Sequence, residues 1–194
     1  MDGMIDGAVT ETQMTVLEAM RRRRMHRYFD PSPLDDEKLR ALAWAATRAP
    51  IGGNEPSRFL LVVKDPRLVK TIVEVTPSYI GTMPAAIIAV LTDTEHAEAQ
   101  MGTQGLEQLS RIDAGAAAEH IALAAVELGI GCYLFRSSNE AALRAVLDLP
   151  PVVRVEWLAA VGHPAAKPSL VPKARRQVVY LDVWGGEQWE VRQP

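Results

Sequence analysis

The spacing of apolar residues along the chain predicts an alternation of helices and strands. Between Asp35 and about Arg48, apolar positions recur at helical spacing behind an acidic first turn, which predicts a helix. Continuous or alternating apolar runs predict strands at 59–63, 85–91, 132–135 and 153–161, and a late strand-like run follows at 178–181. Because these strands and helices are interleaved with uneven spacing, we expect a mixed α/β layer protein rather than a doubly wound sheet.

One predicted helix, from Asp113 to Leu128, has almost no polar face. A helix that is apolar nearly all round is buried. One sheet with two flanking helices offers limited cover, so we expect a homodimer that buries this helix at its interface. The preceding segment, from Thr92 to Ile112, is polar and longer than a simple connector, which favours a lid or an ordered excursion.

Length and composition favour one domain in a reducing compartment. The 194 residues, 48% of them hydrophobic, suffice for one core, so we expect a single domain over 1–194 with a flexible tail at 1–10. Cys132 is the single cysteine, which excludes an intrachain disulfide and fits a cytoplasmic protein. The start of the chain does not read as a signal peptide, and no apolar run is long enough to span a bilayer. We therefore expect no membrane association.

Five arginines occur within the nine residues from Arg21 to Phe29. Taken alone, such a run is a nucleic-acid patch, a nuclear address or a solvated helix end. A capping-box spacing at Thr15 and Glu18 predicts a helix that carries the arginines as far as Asp30 and Pro31. The formal net charge of −3 argues against nucleic-acid binding, because dedicated nucleic-acid proteins carry a basic excess.

Two further segments give the arginines a chemical context. The loop from Ala49 to Pro56 contains two glycines and Asn54, and a second basic group follows at Lys173, Arg175 and Arg176. Arginine and lysine side chains clamp phosphates, and an amide hydrogen-bonds a flat heterocycle. Together these segments are typical of a site for a phosphorylated heterocyclic ligand.

Other common site motifs are missing from the sequence. The glycines at Gly129 and Gly131 lack the third glycine of a dinucleotide fingerprint, and they follow a helix instead of a strand. The four histidines are scattered without ligand spacing, so we expect no metal site. Cys132 opens a predicted buried strand, where a thiol usually serves packing rather than nucleophilic catalysis.

The sequence resembles the FMN-dependent nitroreductases from about Val16 to Trp184. Five short pieces carry the resemblance in the family's order, although each piece alone is weak evidence. They are the run from Arg23 to Phe29 with Pro31 to Leu34, the loop from Ala45 to Asn54, the helix and turn from Asp113 to Gly131, the turn from Val161 to Pro164, and the basic element from Lys173 to Arg176.

The resemblance implies an α+β fold whose central, mostly antiparallel sheet is wrapped by helices, in an intertwined homodimer with FMN sites at the interface. It implies that the extension at 164–194 contacts the partner subunit. The implied activity is that of an NAD(P)H oxidoreductase, in which hydride passes from NADPH or NADH to FMN and on to a small-molecule acceptor such as a nitroaromatic or a quinone. The alternative is a flavin- or deazaflavin-binding protein on the same scaffold without turnover.

The resemblance also assigns the cofactor site and no catalytic residue, since FMN carries the chemistry. Met25 and Ile51 stand where the family usually has hydroxyl residues, so two side chains that serve FMN are replaced. The implied FMN-binding residues are Arg24, Lys173 and Arg175 at the phosphate, Arg27 at the N1/O2 edge, Asn54 at the pyrimidine, the backbone around Phe135 and Arg136 near N5, and Arg23, Met25 and Ile51 beside them.

Overall fold

The computed structural model describes residues 14–52, 57–165 and 178–190. Helices and strands are interleaved along the chain as the apolar pattern predicts. The elements are α1 Val16–Arg22, α2 Asp36–Thr47, β1 Arg58–Val63, α3 Pro66–Val75, β2 Ala86–Asp93, α4 Thr94–Gln104, a π-helical turn Gly105–Leu109, α5 Ser110–Glu127, β3 Gly131–Phe135, α6 Glu140–Val146, β4 Val153–Gly162, β5 Val179–Tyr180 and β6 Gln188–Trp189.

The main sheet has the strand order β1-β2-β4-β3, and each neighbouring pair is antiparallel. Apolar side chains on one face of the sheet pack against α2 and α5, and those on the other face pack against α3 and α6. A separate antiparallel pair, β5 with β6, follows near the C-terminus. The predicted α+β fold with an antiparallel sheet wrapped by helices is confirmed.

Helix α5 is buried along one side by its own chain. Its inner face, including Ala114, Ala117 and Ile121, belongs to the core shared with α2 and the sheet. Leu123 and Val126 on its other side are only partly buried. The covering of that second side by a partner subunit stays a prediction.

The arginine run is only partly helical, which corrects the sequence prediction. Thr15 caps α1 as expected, with its side chain accepting a hydrogen bond from the Glu18 amide, but the helix ends at Arg22. The following residues, 23–29, run extended along the free edge of β3, where Met25 bridges to Cys132 and Phe29 bridges to Pro164. Pairing with the sheet edge overrides the helical tendency of the arginines, because tertiary contacts outweigh local propensity.

The polar segment between Thr92 and Ile112 is ordered and helical, which matches the expected ordered excursion, and a role as a lid stays a prediction. Asp93 caps α4 with a hydrogen bond from the His96 amide, Gly102 breaks the helix with a positive φ of 67°, and the π-helical turn then leads into α5. Turns of this π type are frequent at functional sites. The segment therefore forms a helical layer rather than a loop.

A β-bulge in β4 turns polar residues inward. Val90 pairs with Trp157 but Leu91 pairs with Val155, so Glu156 is the extra residue. Its carboxylate is buried at 2% exposure and accepts a hydrogen bond of 2.6 Å from Arg154. Arg154 also donates to the Leu106 carbonyl at 3.1 Å. This buried pair fastens the π-helical turn to the sheet.

Candidate functional site

The extended segment 23–29 is held to the sheet edge by backbone hydrogen bonds. The His26 amide donates to the Cys132 carbonyl at 2.9 Å, and the Gly81 amide donates to the Arg27 carbonyl at 2.7 Å. A Cβ atom at Gly131 would lie 3.1 Å from the Cβ of His26 and 3.3 Å from the Gly162 carbonyl oxygen. Glycine at 131 therefore lets the segment approach β3 closely.

A cavity of about 160 Å³ lies on one side of this segment. Part of its wall consists of arginine and histidine side chains from the end of α1 and from the segment. The rest consists of small apolar side chains from the end of α5 and the start of β3. The lining residues are Arg22, Arg24, His26, Ala122, Val126, Gly129, Ile130, Cys132 and Pro164. Such a cavity offers a concave, positively charged pocket.

The guanidinium of Arg24 has donors available for a ligand at this cavity. Its Nη1 atom donates to the carbonyls of Arg21 and Arg23, each at 2.8 Å. The N–H groups of Nε and Nη2 make no hydrogen bond to any part of the chain that the structure describes. Nη1 thus fixes the position of the guanidinium while its remaining donors stay available.

His26 contributes a buried polar atom to the same cavity. Its Nδ1 atom is buried and has no hydrogen-bond partner among residues 14–52, 57–165 and 178–190. Burial lowers the pKa of His26, which favours the neutral imidazole. Buried polar atoms without a partner are uncommon in folded proteins, and one at a cavity wall indicates a place for a ligand atom.

The other side of the segment carries Met25 and Arg27. Met25 packs against the core on the α3 and α6 face of the sheet. The Arg27 guanidinium lies over the Tyr133 ring, with Cζ 4.8 Å from the ring centroid, and its buried Nε atom has no partner in the described chain. Tyr133 in turn stacks on Phe135 at 5.6 Å. Arg27 is thus a cation held on an aromatic face.

The predicted residues of the segment therefore do not share one side. Arg24 faces the cavity, whereas Met25 and Arg27 face the opposite core. Arg23 forms an ion pair with Glu119 of α5 at 3.1 Å. From Arg24 to Arg27 the order of side chains follows from the extended backbone, in which successive side chains point to opposite faces.

The predicted glycine loop follows the end of α2 and lies beside the start of α5. Ile51 is partly buried, and the Gly52 amide donates to the Asp113 carboxylate at 2.8 Å. A Cβ atom at Gly52 would lie 3.4 Å from the Cβ of Leu109, so the loop adjoins the π-helical turn. Phe135 is buried at the end of β3, and the neighbouring Arg136 is exposed. Predicted site residues Asn54, Lys173 and Arg175 lie outside the described residues.

Four residues near these groups had no assigned role in the sequence. Arg22 and His26 belonged to the basic run. Arg22 is the last residue of α1, whereas the cavity position of His26 follows from the extended backbone that the helix prediction missed. Tyr133 alternates with Phe135, which places both on one face of a strand. Arg58 carried no sequence signal at all. It donates from its guanidinium to several backbone carbonyls around the glycine loop.

The part of the chain that the structure describes lacks metal-binding clusters and membrane-spanning helices. It contains no group of three or more His, Cys, Asp or Glu residues that could hold a metal ion. Among the same residues, no helix has both the length and the apolar character needed to cross a bilayer.

The chain matches a family model and a curated relative. The model described as Nitroreductase family matches residues 20–78 and 75–163. An NADPH-dependent oxidoreductase of Staphylococcus haemolyticus is 27% identical over 194 residues, an alignment that covers 92% of this chain and 77% of that protein. The similarity therefore includes the arginine segment, the sheet and both cores.

Two crystal structures show the same fold at low sequence identity. A candidate NADH dehydrogenase/NAD(P)H nitroreductase of Parabacteroides distasonis superposes with a TM-score of 0.75 at 22% identity, covering 87% of this chain and 98% of that one. An FMN-dependent nitroreductase of Clostridium difficile superposes with a TM-score of 0.67 at 20% identity, covering 77% and 88%. The architecture described above is thus shared with both.

Proposed function

The chain belongs to the nitroreductase family, and on this premise we propose that it is an FMN-dependent oxidoreductase that takes electrons from NADPH or NADH. Its acceptor in this proposal is a small molecule such as a nitroaromatic or a quinone. The names of two similar proteins, an NADPH-dependent oxidoreductase and an FMN-dependent nitroreductase, support the donor and the cofactor. We place the protein in the cytoplasm, in keeping with its single buried cysteine.

The observation that carries the proposal is the cationic cavity beside segment 23–29. Its arginines and the unpartnered His26 Nδ1 atom fit the anionic and hydrogen-bonding groups of a flavin phosphate. In the proposal Arg24 holds this phosphate with its free Nε and Nη2 donors, and Lys173 and Arg175 join it. Arg22 adds positive charge at the same wall.

Arg27 has a separate role in the proposal. Its guanidinium, held over Tyr133 with a buried unpartnered Nε atom, is placed to favour negative charge at the N1/O2 edge of a flavin ring. When bound, FMN would supply the hydride transfer between the nicotinamide and the acceptor. Arg24 and Arg27 face opposite sides of the segment. The two roles are therefore tested separately.

The proposal includes a homodimer to which the C-terminal extension contributes. Large apolar side chains are exposed on α1, at Val16, Leu17 and Met20, and α1 packs beside α5. The β5–β6 hairpin exposes Trp184 and Trp189. Contiguous exposed apolar surface marks an interaction site, and a second copy of the chain would cover it. Sedimentation at micromolar concentration should show the mass of two chains.

The absorption spectrum of the purified protein tests the proposed function. We expect a yellow protein, or an apoprotein that becomes yellow with added FMN, whose flavin band bleaches under anaerobic NADPH or NADH. Reoxidation by a nitroaromatic or a quinone would complete the cycle. A protein that refuses FMN contradicts the proposal. Flavin that binds but never bleaches with either nicotinamide identifies the binding protein without turnover.

A further inference from the structure

The glycine loop that follows α2 carries two of the proposed flavin residues. Ile51 lies in the described part of the loop, and Asn54 lies outside the described residues. The loop has little side-chain mass with which to hold itself, so its position depends on its neighbours. Two charged residues from other elements, Arg58 of β1 and Asp113 of α5, supply the contacts.

Arg58 binds the loop through its backbone carbonyls. Its Nη2 atom donates to the carbonyls of Ala46 and Ala49, both at 3.2 Å, and its Nη1 atom donates to the carbonyl of Pro50, also at 3.2 Å. The last carbonyls of a helix lack partners within the helix and carry partial negative charge. The guanidinium donates to the Ala46 carbonyl at the end of α2 and to the Ala49 and Pro50 carbonyls of the loop.

Asp113 holds the same loop through an amide. Its buried carboxylate, at 7% exposure, accepts the hydrogen bond from the Gly52 amide. The carbonyl of Asp113 accepts a further hydrogen bond from Arg58 Nη1 at 3.0 Å. The two anchors are therefore linked to each other as well as to the loop. The Arg58 guanidinium thus holds the carbonyls at the beginning of the loop, and the Asp113 carboxylate holds the amide of Gly52.

We propose that Arg58 and Asp113 are positioning residues that hold the loop at 49–52 in the geometry needed to bind the flavin ring. This inference rests on the proposed function, because the loop matters only if Ile51 and Asn54 meet a flavin. Arg58 suits the task because a planar guanidinium reaches several carbonyls at once, whereas a lysine ammonium is a single point of charge. Neither residue contacts the flavin in the proposal; both act through the loop.

Four variants test the inference in the full-length protein. Arg58→Lys keeps the charge but loses the fork, and Asp113→Ala loses the acceptor for the Gly52 amide. Asp113→Asn keeps an oxygen acceptor for that amide and serves as the conservative rescue. Arg40→Ala, on the exposed side of α2, is the matched control, since within the described residues Arg40 forms just a 4.0 Å ion pair with Asp36.

We expect the dissociation constant for FMN to rise about tenfold in Arg58→Lys and in Asp113→Ala, and to stay within about twofold of wild type in Asp113→Asn and Arg40→Ala. The visible band of bound flavin should shift in the two weakened variants, because the hydrogen bonds to the ring change. A purely structural role would lower thermal stability without moving the affinity or the spectrum of the folded fraction.

The outcomes separate this inference from the proposed function. Wild-type protein that binds no FMN overturns both. Wild-type protein that binds FMN, with Arg58→Lys and Asp113→Ala showing wild-type affinity and spectrum, overturns the positioning role and leaves the proposed function standing. If Arg58→Lys does not fold, the comparison of Asp113→Ala with Asp113→Asn decides, because rescue by asparagine requires the acceptor at the Gly52 amide.

Discussion

Arg24 and Arg58 differ in how many of their guanidinium donors are hydrogen-bonded to the chain. An arginine whose terminal nitrogens are all hydrogen-bonded is called saturated. Arg58 donates to four backbone carbonyls at 3.0 to 3.2 Å, and each of its terminal nitrogens is in use. Among the described residues Arg24 donates from Nη1 alone, and its side chain lines a cavity of about 160 Å³. A saturated guanidinium fixes the chain around it, whereas an unsaturated one at a cavity is available for a ligand.

Arg154 belongs with Arg58 in this comparison. Its guanidinium is 16% exposed and is divided between the buried Glu156, the Ser110 hydroxyl and the Leu106 carbonyl. It holds the π-helical turn, as Arg58 holds the glycine loop. The comparison therefore predicts that changes at the saturated arginines alter stability or loop position, and that changes at the unsaturated ones alter ligand binding.

The largest expected effect is on stability, in Arg154→Leu. This substitution leaves Glu156 buried at 2% exposure without its ion-pair partner, and an unpaired buried charge costs about 3–5 kcal/mol. Urea denaturation of the apoprotein measures the loss. The double variant Arg154→Leu/Glu156→Leu removes both charges and should recover most of the stability. A loss of stability below about 1 kcal/mol in the single variant would show that Arg154 does not hold the structure as the comparison predicts for a saturated arginine.

The next effect is on flavin affinity, in Arg24→Ala. Hydrogen bonds to charged groups contribute about 1.5–3 kcal/mol, so the dissociation constant for FMN should rise by roughly 10- to 150-fold. Stability should change little, because within the described chain the lost side chain is bonded to two nearby backbone carbonyls, of Arg21 and Arg23. Equilibrium dialysis or fluorescence quenching of FMN gives the affinity.

Arg21→Ala is the matched control for Arg24→Ala. Arg21 lies in the same basic run, but its side chain is 57% exposed and pairs with Glu18 on the surface of α1. It should leave the flavin affinity unchanged. Equal flavin retention in wild type, Arg21→Ala and Arg24→Ala would remove Arg24 from the phosphate site.

A smaller effect is expected on the flavin potential, in Arg27→Met. Removing the cation over Tyr133 disfavours negative charge on the reduced ring, so the midpoint potential should fall. A loss of about 1–2 kcal/mol corresponds to roughly 20–40 mV for a two-electron couple. Equilibrium reduction against a reference dye measures the shift. Arg27→Lys keeps a positive charge, so its midpoint potential should lie between those of wild type and Arg27→Met. An unchanged potential in Arg27→Met would exclude a role of Arg27 near the ring.

The sequence carried enough information for the fold but only part of the site. Capping residues and apolar periods predicted α2 and the main strands, because these signals are local. The arginine cluster marked the cavity through its composition. The division of Arg24 and Arg27 between two sides was missed, because it depends on pairing of the segment with β3, a contact between residues over 100 positions apart.

Arg58 shows a second reason why the prediction was incomplete. An arginine at the start of an apolar strand has no periodicity, spacing or neighbour that marks it. Its contacts are to backbone carbonyls, and these partners exist only once α2 has ended and the loop has turned toward β1. The pairing of Arg154 with Glu156 escaped prediction for a similar reason. The β-bulge that turns Glu156 inward arises from the pairing of two strands, which the local sequence does not show.

The smallest expected effect concerns Cys132, in the wall of the same cavity. Burial raises the pKa of this thiol to about 12, whereas an unfolded cysteine titrates near 8.5. Between these values the native state keeps the proton and the unfolded chain releases it, so stability falls as pH rises through about 8.5. Cys132 should cost about 0.8 kcal/mol at pH 9 relative to pH 7. Comparing urea midpoints of wild type and Cys132→Ala at both pH values isolates this loss. Two results would contradict this prediction: the same pH dependence of stability in wild type and Cys132→Ala, or rapid alkylation of native Cys132 at pH 8. Either result would show that the cavity opens to solvent as far as β3. The contrast between a fixed cavity wall and available arginine donors would then fail.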